Sequence, residues 1–320
     1  MTTDTNGTGA AIRGPILVTG AAGFIGWYLT RALRRQGHDV LAVDDLSASP
    51  WRQPLPGIAV RDVCSLEAPH LAGIRSVVHL ATRKVVPTSF TDREQIIANV
   101  RVDRHVIDLI AAARPEVAIL ASSCEVYGAQ PTPLAESAPL RPRSPYAVGK
   151  VALELLADVY RPLTPTRICV ARLFNIYGPG EGLDAVVPRF VHDALVHRRL
   201  LIEGCGTQRR DLTYIDDLVA ALVGLLALPV PPAVVNIGSG RSVSVLDLAA
   251  RIGAAVGGVG LVHGAARTNE IPGFVADTRH LRDVLPGWRA TVDLATGLAR
   301  CIAWERRQQR PAAVRQDLVA

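Results

Sequence analysis

Between residues 15 and 160 the hydrophobic positions fall into two alternating rhythms. Short apolar runs rich in β-branched residues occupy Pro15–Thr19, His38–Val43, Ile58–Val63, Ser76–Ala81 and Glu116–Ser123. Such runs, bounded by Gly, Asp or Pro, predict buried strands. Separating them are stretches whose apolar residues recur at helical spacing, Phe24–Gln36 and Asp92–Ala113. A third helix is signalled at Ser144-Pro145, where Ser is a good N-cap and Pro a good first helical residue. Strands alternating with helices predict an α/β fold built on a parallel, doubly wound sheet of Rossmann type.

Chemistry enters at the strand ends. After the first strand comes Gly20-Ala-Ala-Gly23-Phe-Ile-Gly26, running straight into a helix. A buried strand, a tight glycine turn and a helix N-terminus together offer backbone N–H groups and the positive end of a helix dipole to a pyrophosphate. The second strand ends in Asp44-Asp45. An acid there grips a ribose 2′-hydroxyl and repels a 2′-phosphate, so Asp44 argues for NAD over NADP; otherwise it is a solvated turn residue. Asp62, near the end of the third strand, is a candidate for the adenine. The fifth strand leads into Ser122-Ser-Cys-Glu125-Val-Tyr-Gly128, at the carboxyl edge where open parallel sheets bind ligands.

Downstream lies Tyr146-Ala-Val-Gly-Lys150. In a helix this spacing puts the two side chains on one face, one turn apart. A nearby ammonium favours a phenolate, so the pair can act as a general base, though surface helices also produce the spacing by chance. Of the 35 basic residues only two are lysines, Lys84 and Lys150. A GC-rich codon bias explains the scarcity but not where the survivors sit.

Composition narrows the classes. With 49% hydrophobic and 20% charged residues, the chain is an ordinary globular one, and 320 residues suffice for one large domain or two unequal lobes. The net charge of +6 comes from scattered arginines without interleaved aromatics, which speaks against nucleic acid and leaves anionic small molecules. Five cysteines without C-x-x-C spacing suggest neither a disulfide framework nor a metal site, and a reducing, cytoplasmic setting is expected. Residues 1–14 read as a polar tail with no apolar leader, and no stretch is long and apolar enough to span a membrane.

Taken in order, Thr19–Gly26, Asp44, His79-Leu-Ala81, Ser123 before Val126-Tyr-Gly128, and Tyr146-x-x-x-Lys150 resemble the extended short-chain dehydrogenases, the NAD-dependent nucleotide-sugar epimerase/dehydratase family. Arg172-Leu-Phe-Asn175-Ile-Tyr-Gly-Pro-Gly180, Gly206–Asp217, Asn236–Gly240 and Arg267–Glu270 extend the resemblance over about residues 14 to 306. It implies an NAD-binding domain over 15–175 and a smaller, mainly nucleotide-sugar-binding lobe over 176–306 whose chain returns to the first. Residues 307–320 would form a second tail.

The resemblance further implies NAD contacts from Gly20, Gly23, Phe24, Ile25, Gly26, Asp44, Asp62, Val63, Leu80, Ala81, Lys84, Asn99, Tyr146 and Lys150. Tyr146 would take a proton from a sugar hydroxyl that Ser123 also holds, and Lys150 would lower the tyrosine's pKa. Ser123, Asn175, Val187, Arg210 and Arg267 would hold the nucleotide diphosphate sugar, although Arg209 beside Arg210 also reads as a solvated charge. A homodimer through the two long helices, about 92–113 and 145–160, is implied as well.

Two positions depart from the family. Where relatives often have Asn-Val-x-Gly-Thr, this chain has Asn99-Val-Arg-Val102-Asp103. Where 4,6-dehydratases carry Asp-Glu, it has Cys124-Glu125. In a dehydratase, Glu125 would take the C5 proton and the Cys124 thiol, with an unperturbed pKa of about 8.5, would donate to the departing C6 hydroxyl. The pair is similar to that of a hexosamine 5,6-dehydratase of antibiotic biosynthesis acting on UDP-GlcNAc-like sugars. Two other readings stay open: a UDP-sugar 4-epimerase, in which Cys124 is a buried filler, and a non-catalytic NAD-binding sensor.

Overall fold

A computed structural model describes residues 12–51, 55–84, 86–267 and 270–309. Most of both expected tails, and Thr268 and Asn269 of the Arg267–Glu270 motif, lie outside the described residues. The first half runs β1 (Ile16–Thr19), α1 (Phe24–Arg35), β2 (Val40–Asp44), β3 (Ile58–Val60), β4 (Ser76–His79), α2 (Arg93–Ala113), β5 (Val117–Ser123), α3 (Pro145–Tyr160) and β6 (Arg167–Leu173). The second half runs β7 (Asn175–Tyr177), α4 (Val186–Val196), β8 (Arg199–Glu203), β9 (Arg209–Tyr214), α5 (Ile215–Ala227) and β10 (Val234–Ile237). It ends with β11 (Ser242–Ser244), α6 (Val245–Ala255), β12 (Gly260–Gly264), β13 (Gly273–Phe274), α7 (Arg279–Val284) and α8 (Leu294–Gln309).

Seven strands form one parallel sheet in the order β10-β6-β5-β4-β1-β2-β3, the doubly wound arrangement expected. Because side chains alternate across a strand, each strand serves two cores. Ile16 and Val18 of β1 pack with Leu29 and Leu33 of α1, while Leu17 packs with Val106 and Ile110 of α2. All are essentially sealed from water, and each large side chain so buried contributes about 1.5–3 kcal/mol.

The third predicted helix begins at its predicted signal. Ser144 accepts from Ala147 N at 3.1 Å and Pro145 takes the first helical position of α3; Asp92 caps α2 by accepting from Glu94 N. The third strand is shorter than expected. It stops at Val60, because the Asp62 carboxylate captures Cys64 N at 2.8 Å and turns residues 63–65 into a short 3₁₀ helix. At the other end, α8 continues through Gln309, three residues into the expected tail.

Smaller sheets follow: β7, β9, β11 and β13 form one, and β8 pairs in parallel with β12. Among the described residues no helix is long and apolar enough to cross a membrane, and no His, Cys, Asp and Glu group could hold a metal ion.

Candidate active site

The order of the main sheet reverses between β1 and β4, and the carboxyl ends of β1, β4, β5 and β6 open on one cleft of about 1100 Å³. That exceeds the roughly 300–1000 Å³ of a site for one small ligand. The cleft runs from the glycine turn to residues of β8 and β9.

At the glycine end, Gly20 has φ +70° and its Cα faces the Ala81 backbone so closely that a Cβ would lie 2.7 Å from Ala81 N. A Cβ on Gly26 would lie 2.0 Å from Gly20 O. These two glycines therefore let β1, β4 and α1 meet at one point. The α1 N-terminus at Gly23 has no side-chain cap and no acid in its first turn, which leaves its N–H groups for an anion. Asp44 is buried; it accepts from Ala22 N at 2.9 Å and Leu46 N at 2.7 Å, tying the glycine loop to the end of β2.

Behind this loop lies a chain of buried polar groups that includes Asp103, one of the residues departing from the family pattern. Asn99 accepts from Arg83 N and donates to Arg83 O, bracing the segment after β4. His79 bridges Thr19 Oγ1 at 2.7 Å and Asp103 Oδ1 at 2.9 Å. The Thr19 oxygen already accepts from Leu80 N and Ala81 N, so its hydroxyl donates to Nδ1 and leaves Nε2 to donate to Asp103. Asp103 thus tethers α2 to the strand ends.

At the centre, Ser123, Cys124, Glu125, Tyr146 and Lys150 all line the cleft. Ser123 ends β5, its hydroxyl accepting from Glu125 N at 3.2 Å and hydrogen-bonding the Tyr146 phenol. Lys150 is buried. The phenol does not behave as expected. Burial, followed by the Glu125 carboxylate, pushes Tyr146 well above the usual tyrosine range, and the Ser123 hydrogen bond offsets this only in part. The phenolate is therefore rarer at neutral pH and a stronger base once formed.

Cys124 is buried beside Phe174, Ile271 and Phe274, and burial holds its thiol far above the ordinary cysteine value. Burial also raises Glu125, against the pull of Arg210 and with a push from Glu270.

The strands behind these groups are held by charge. Arg172 of β6 forms a bidentate pair with Glu154 of α3, at 3.0 and 2.7 Å to the two oxygens. Ser122 donates to Glu154, and Tyr127 accepts from Arg172 and donates to Asn236 of β10.

At the far end, Asn175, Val187, Arg210 and Arg267 also line the cleft, and Asn175 Oδ1 is buried without a partner. Arg210 pairs with Glu270, donates to Ile271 O and lies over the Phe274 ring; Arg267 pairs with Glu203. Arg209 points to the opposite face of β9, where it bonds Ser242. Of the expected cofactor contacts, Gly20, Gly23, Phe24, Ile25, Gly26, Leu80 and Lys84 line the cleft. Asp44, Asp62, Val63, Ala81 and Asn99 lie outside its lining: Asp62 caps residues 63–65 through one carboxylate oxygen, Val63 packs in the core, and Asn99 braces Arg83. Ser47, Arg83 and Glu181, in loops without a motif of their own, carried no sequence signal, and Gln208 and Glu270 lay within the Gly206–Asp217 and Arg267–Glu270 motifs without an assigned role.

The sequence profile of the NAD-dependent epimerase/dehydratase family matches residues 16–238, and the chain belongs to that family. It is accordingly an NAD-dependent nucleotide-sugar enzyme of the epimerase or dehydratase type. Curated relatives include the UDP-glucose 4-epimerase of Mycolicibacterium smegmatis, 31% identical over 92% of this chain and 99% of the relative. The dTDP-glucose 4,6-dehydratase of Streptomyces griseus is 31% identical over 90% and 93% of the two chains. Among solved structures, TunA, an NAD-dependent NDP-hexosamine 5,6-dehydratase of tunicamycin biosynthesis, superposes with a TM-score of 0.87 and 39% identity over 93% of this chain and 98% of its own. MoeE5, solved with UDP-glucose and NAD, gives 0.84 and 35% over 93% and 100%.

Proposed function

We propose that the enzyme is a UDP-hexosamine 5,6-dehydratase, acting on a UDP-GlcNAc-like sugar through transient oxidation at C4. The observation that carries this reading is Cys124-Glu125 at the end of β5, facing the cleft beside Ser123 and Tyr146. NAD, when bound against the glycine turn, supplies the acceptor and later the donor of the C4 hydride. The chain's own groups do the rest. Ser123 and Tyr146 hold the C4 hydroxyl, and the tyrosine takes its proton. The resulting ketone acidifies C5, and Glu125 removes that proton, its raised carboxyl making it a better base than an exposed glutamate. The C6 hydroxyl leaves as its oxygen is protonated by Cys124. A thiol held so firmly gives up its proton only to a base as strong as a departing hydroxide. Tyr146 gives its proton back to the C4 oxygen as the ketone is reduced, and the product would keep a 5,6-alkene. The likeness to TunA supports this outcome.

Arg210, Arg267, Asn175 and Val187 hold the nucleotide diphosphate in this reading, with arginine forks suited to phosphate oxygens. The enzyme acts as a homodimer through α2 and α3. Ile97 and Leu155 and Val159, on these two helices, are more than half exposed, an apolar face suited to a second copy.

The second reading is a UDP-sugar 4-epimerase, favoured by the apolar packing of Cys124 against Phe174, Ile271 and Phe274. A sensor without catalysis would have no use for Tyr146 and Lys150, both present and both in the cleft. Incubation with UDP-GlcNAc and the product mass decide among them. Loss of water supports the dehydratase, an isomer of unchanged mass supports the epimerase, and no turnover rules out this substrate. Glu125→Gln should stop both water loss and solvent deuterium exchange at C5, whereas Cys124→Ala should slow elimination and leave exchange intact.

A further inference from the structure

The segment joining β7 to α4 carries Glu181, 8% exposed and lining the cleft. Its Oε1 lies 3.4 Å from Lys84 Nζ, while its Oε2 is buried without a hydrogen-bond partner. Lys84 comes from the opposite wall, the segment after β4, and also approaches Asp184 Oδ2 at 3.8 Å. A buried carboxylate with one oxygen unsatisfied is costly unless a cation stands beside it or a proton neutralises it.

We propose that Glu181 is a positioning residue for the diphosphate ligands of this cleft: with Asp184 it holds the Lys84 ammonium at the cleft wall, and it takes up a proton when that ammonium turns to a bound diphosphate. This rests on the reading that the cleft receives NAD and a nucleotide diphosphate sugar.

The charges around Glu181 fix the sign. Burial raises its carboxyl, Lys84 pulls it back and Asp184 adds a smaller push upward, which together leave it at about 7. Burial works against the charge of Lys84, but Glu181 and Asp184 outweigh it and hold the ammonium above its usual range. On the α8 side Cys301 senses Glu181; burial pushes that thiol up to about 12, so it is neutral. From α1, Tyr28 spends its hydroxyl hydrogen on Pro179 O, and Arg189 of α4 lines the same cleft. Drawing Lys84 toward a diphosphate removes the main charge that keeps Glu181 ionised and brings negative charge closer. Both changes raise its affinity for a proton.

The test is NAD titration by calorimetry at about pH 8 in phosphate and in Tris, whose different ionisation heats reveal proton exchange. Wild-type protein should take up as much as about one proton per NAD, and above pH 7 its Kd should rise by up to about tenfold per pH unit. Glu181→Gln should bind NAD with no proton uptake and a flat pH profile, Glu181→Asp should restore part of both, and Lys84→Gln should bind more weakly without uptake. Buffer-independent heats in the wild type, or the same uptake in Glu181→Gln, overturn the proposal. Failure of wild-type protein to bind NAD at all overturns the cofactor reading instead, and this proposal with it.

Discussion

Tyr146 and Glu125 share one low-dielectric pocket, and the Glu125 carboxylate raises the proton affinity of the Tyr146 phenol. Tyr146→Phe should remove the phenol that receives the C4 proton, reducing turnover to background while NAD binding, followed by fluorescence titration, stays near wild type. Near-normal turnover would take the base assignment away from Tyr146. Glu125 must be ionised to accept the C5 proton, and its carboxyl is raised by burial and by Glu270. The activity lost on acidification should therefore disappear around a midpoint above the ordinary glutamate value of about 4.3. A kcat/KM profile for water loss with an acid limb at or below that value would show that another group sets it.

The glycine turn, the capped start of α3, and the triplet at the end of β5 are local devices, each written in a few adjacent residues. They were legible in the sequence for that reason. The partners of Arg172 were not. Glu154, Tyr127 and Glu136 reach it from three separate segments, and only the sheet register, with Ser122 opposite Arg172, brings them together. Glu154→Ala leaves the Arg172 guanidinium buried without its counter-charge, a change that costs about 3–5 kcal/mol. Denaturant unfolding should show that loss, with Glu154→Gln losing less; a change under about 1 kcal/mol would mean water or a rotamer shift compensates. The same distinction explains Ile58–Val63: its apolar residues read as a strand throughout, but one Asp62 carboxylate outweighs that pattern over the last three positions.

At the scale of the whole molecule, the parallel sheet and its crossover helices follow from alternating patterns, whereas the minor sheets of the second half rest on strands as short as two residues. Periodicity needs more residues than that to register. The exposed apolar stripe on α2 and α3 predicts a dimer in sedimentation experiments at micromolar concentration. A Leu155→Glu, Val159→Glu double variant should sediment as a monomer that still binds NAD; a wild-type monomer would assign the stripe to something other than a second copy.

The placement of β10 has a bearing on how the chain is made. The edge of β6 is covered by a strand that leaves the ribosome only after residues 174–233, sixty positions later. At translation rates of about 5–20 residues per second, that is a wait of roughly 3–12 seconds. Throughout it the NAD-binding half presents Arg167–Leu173 as an open, mostly apolar edge able to pair with any other strand in reach. Val234–Ile237 thus acts as a closing piece for the growing polypeptide. Slow codons or a stall before it would prolong the period in which nascent chains can join to one another, without changing any residue of the finished enzyme.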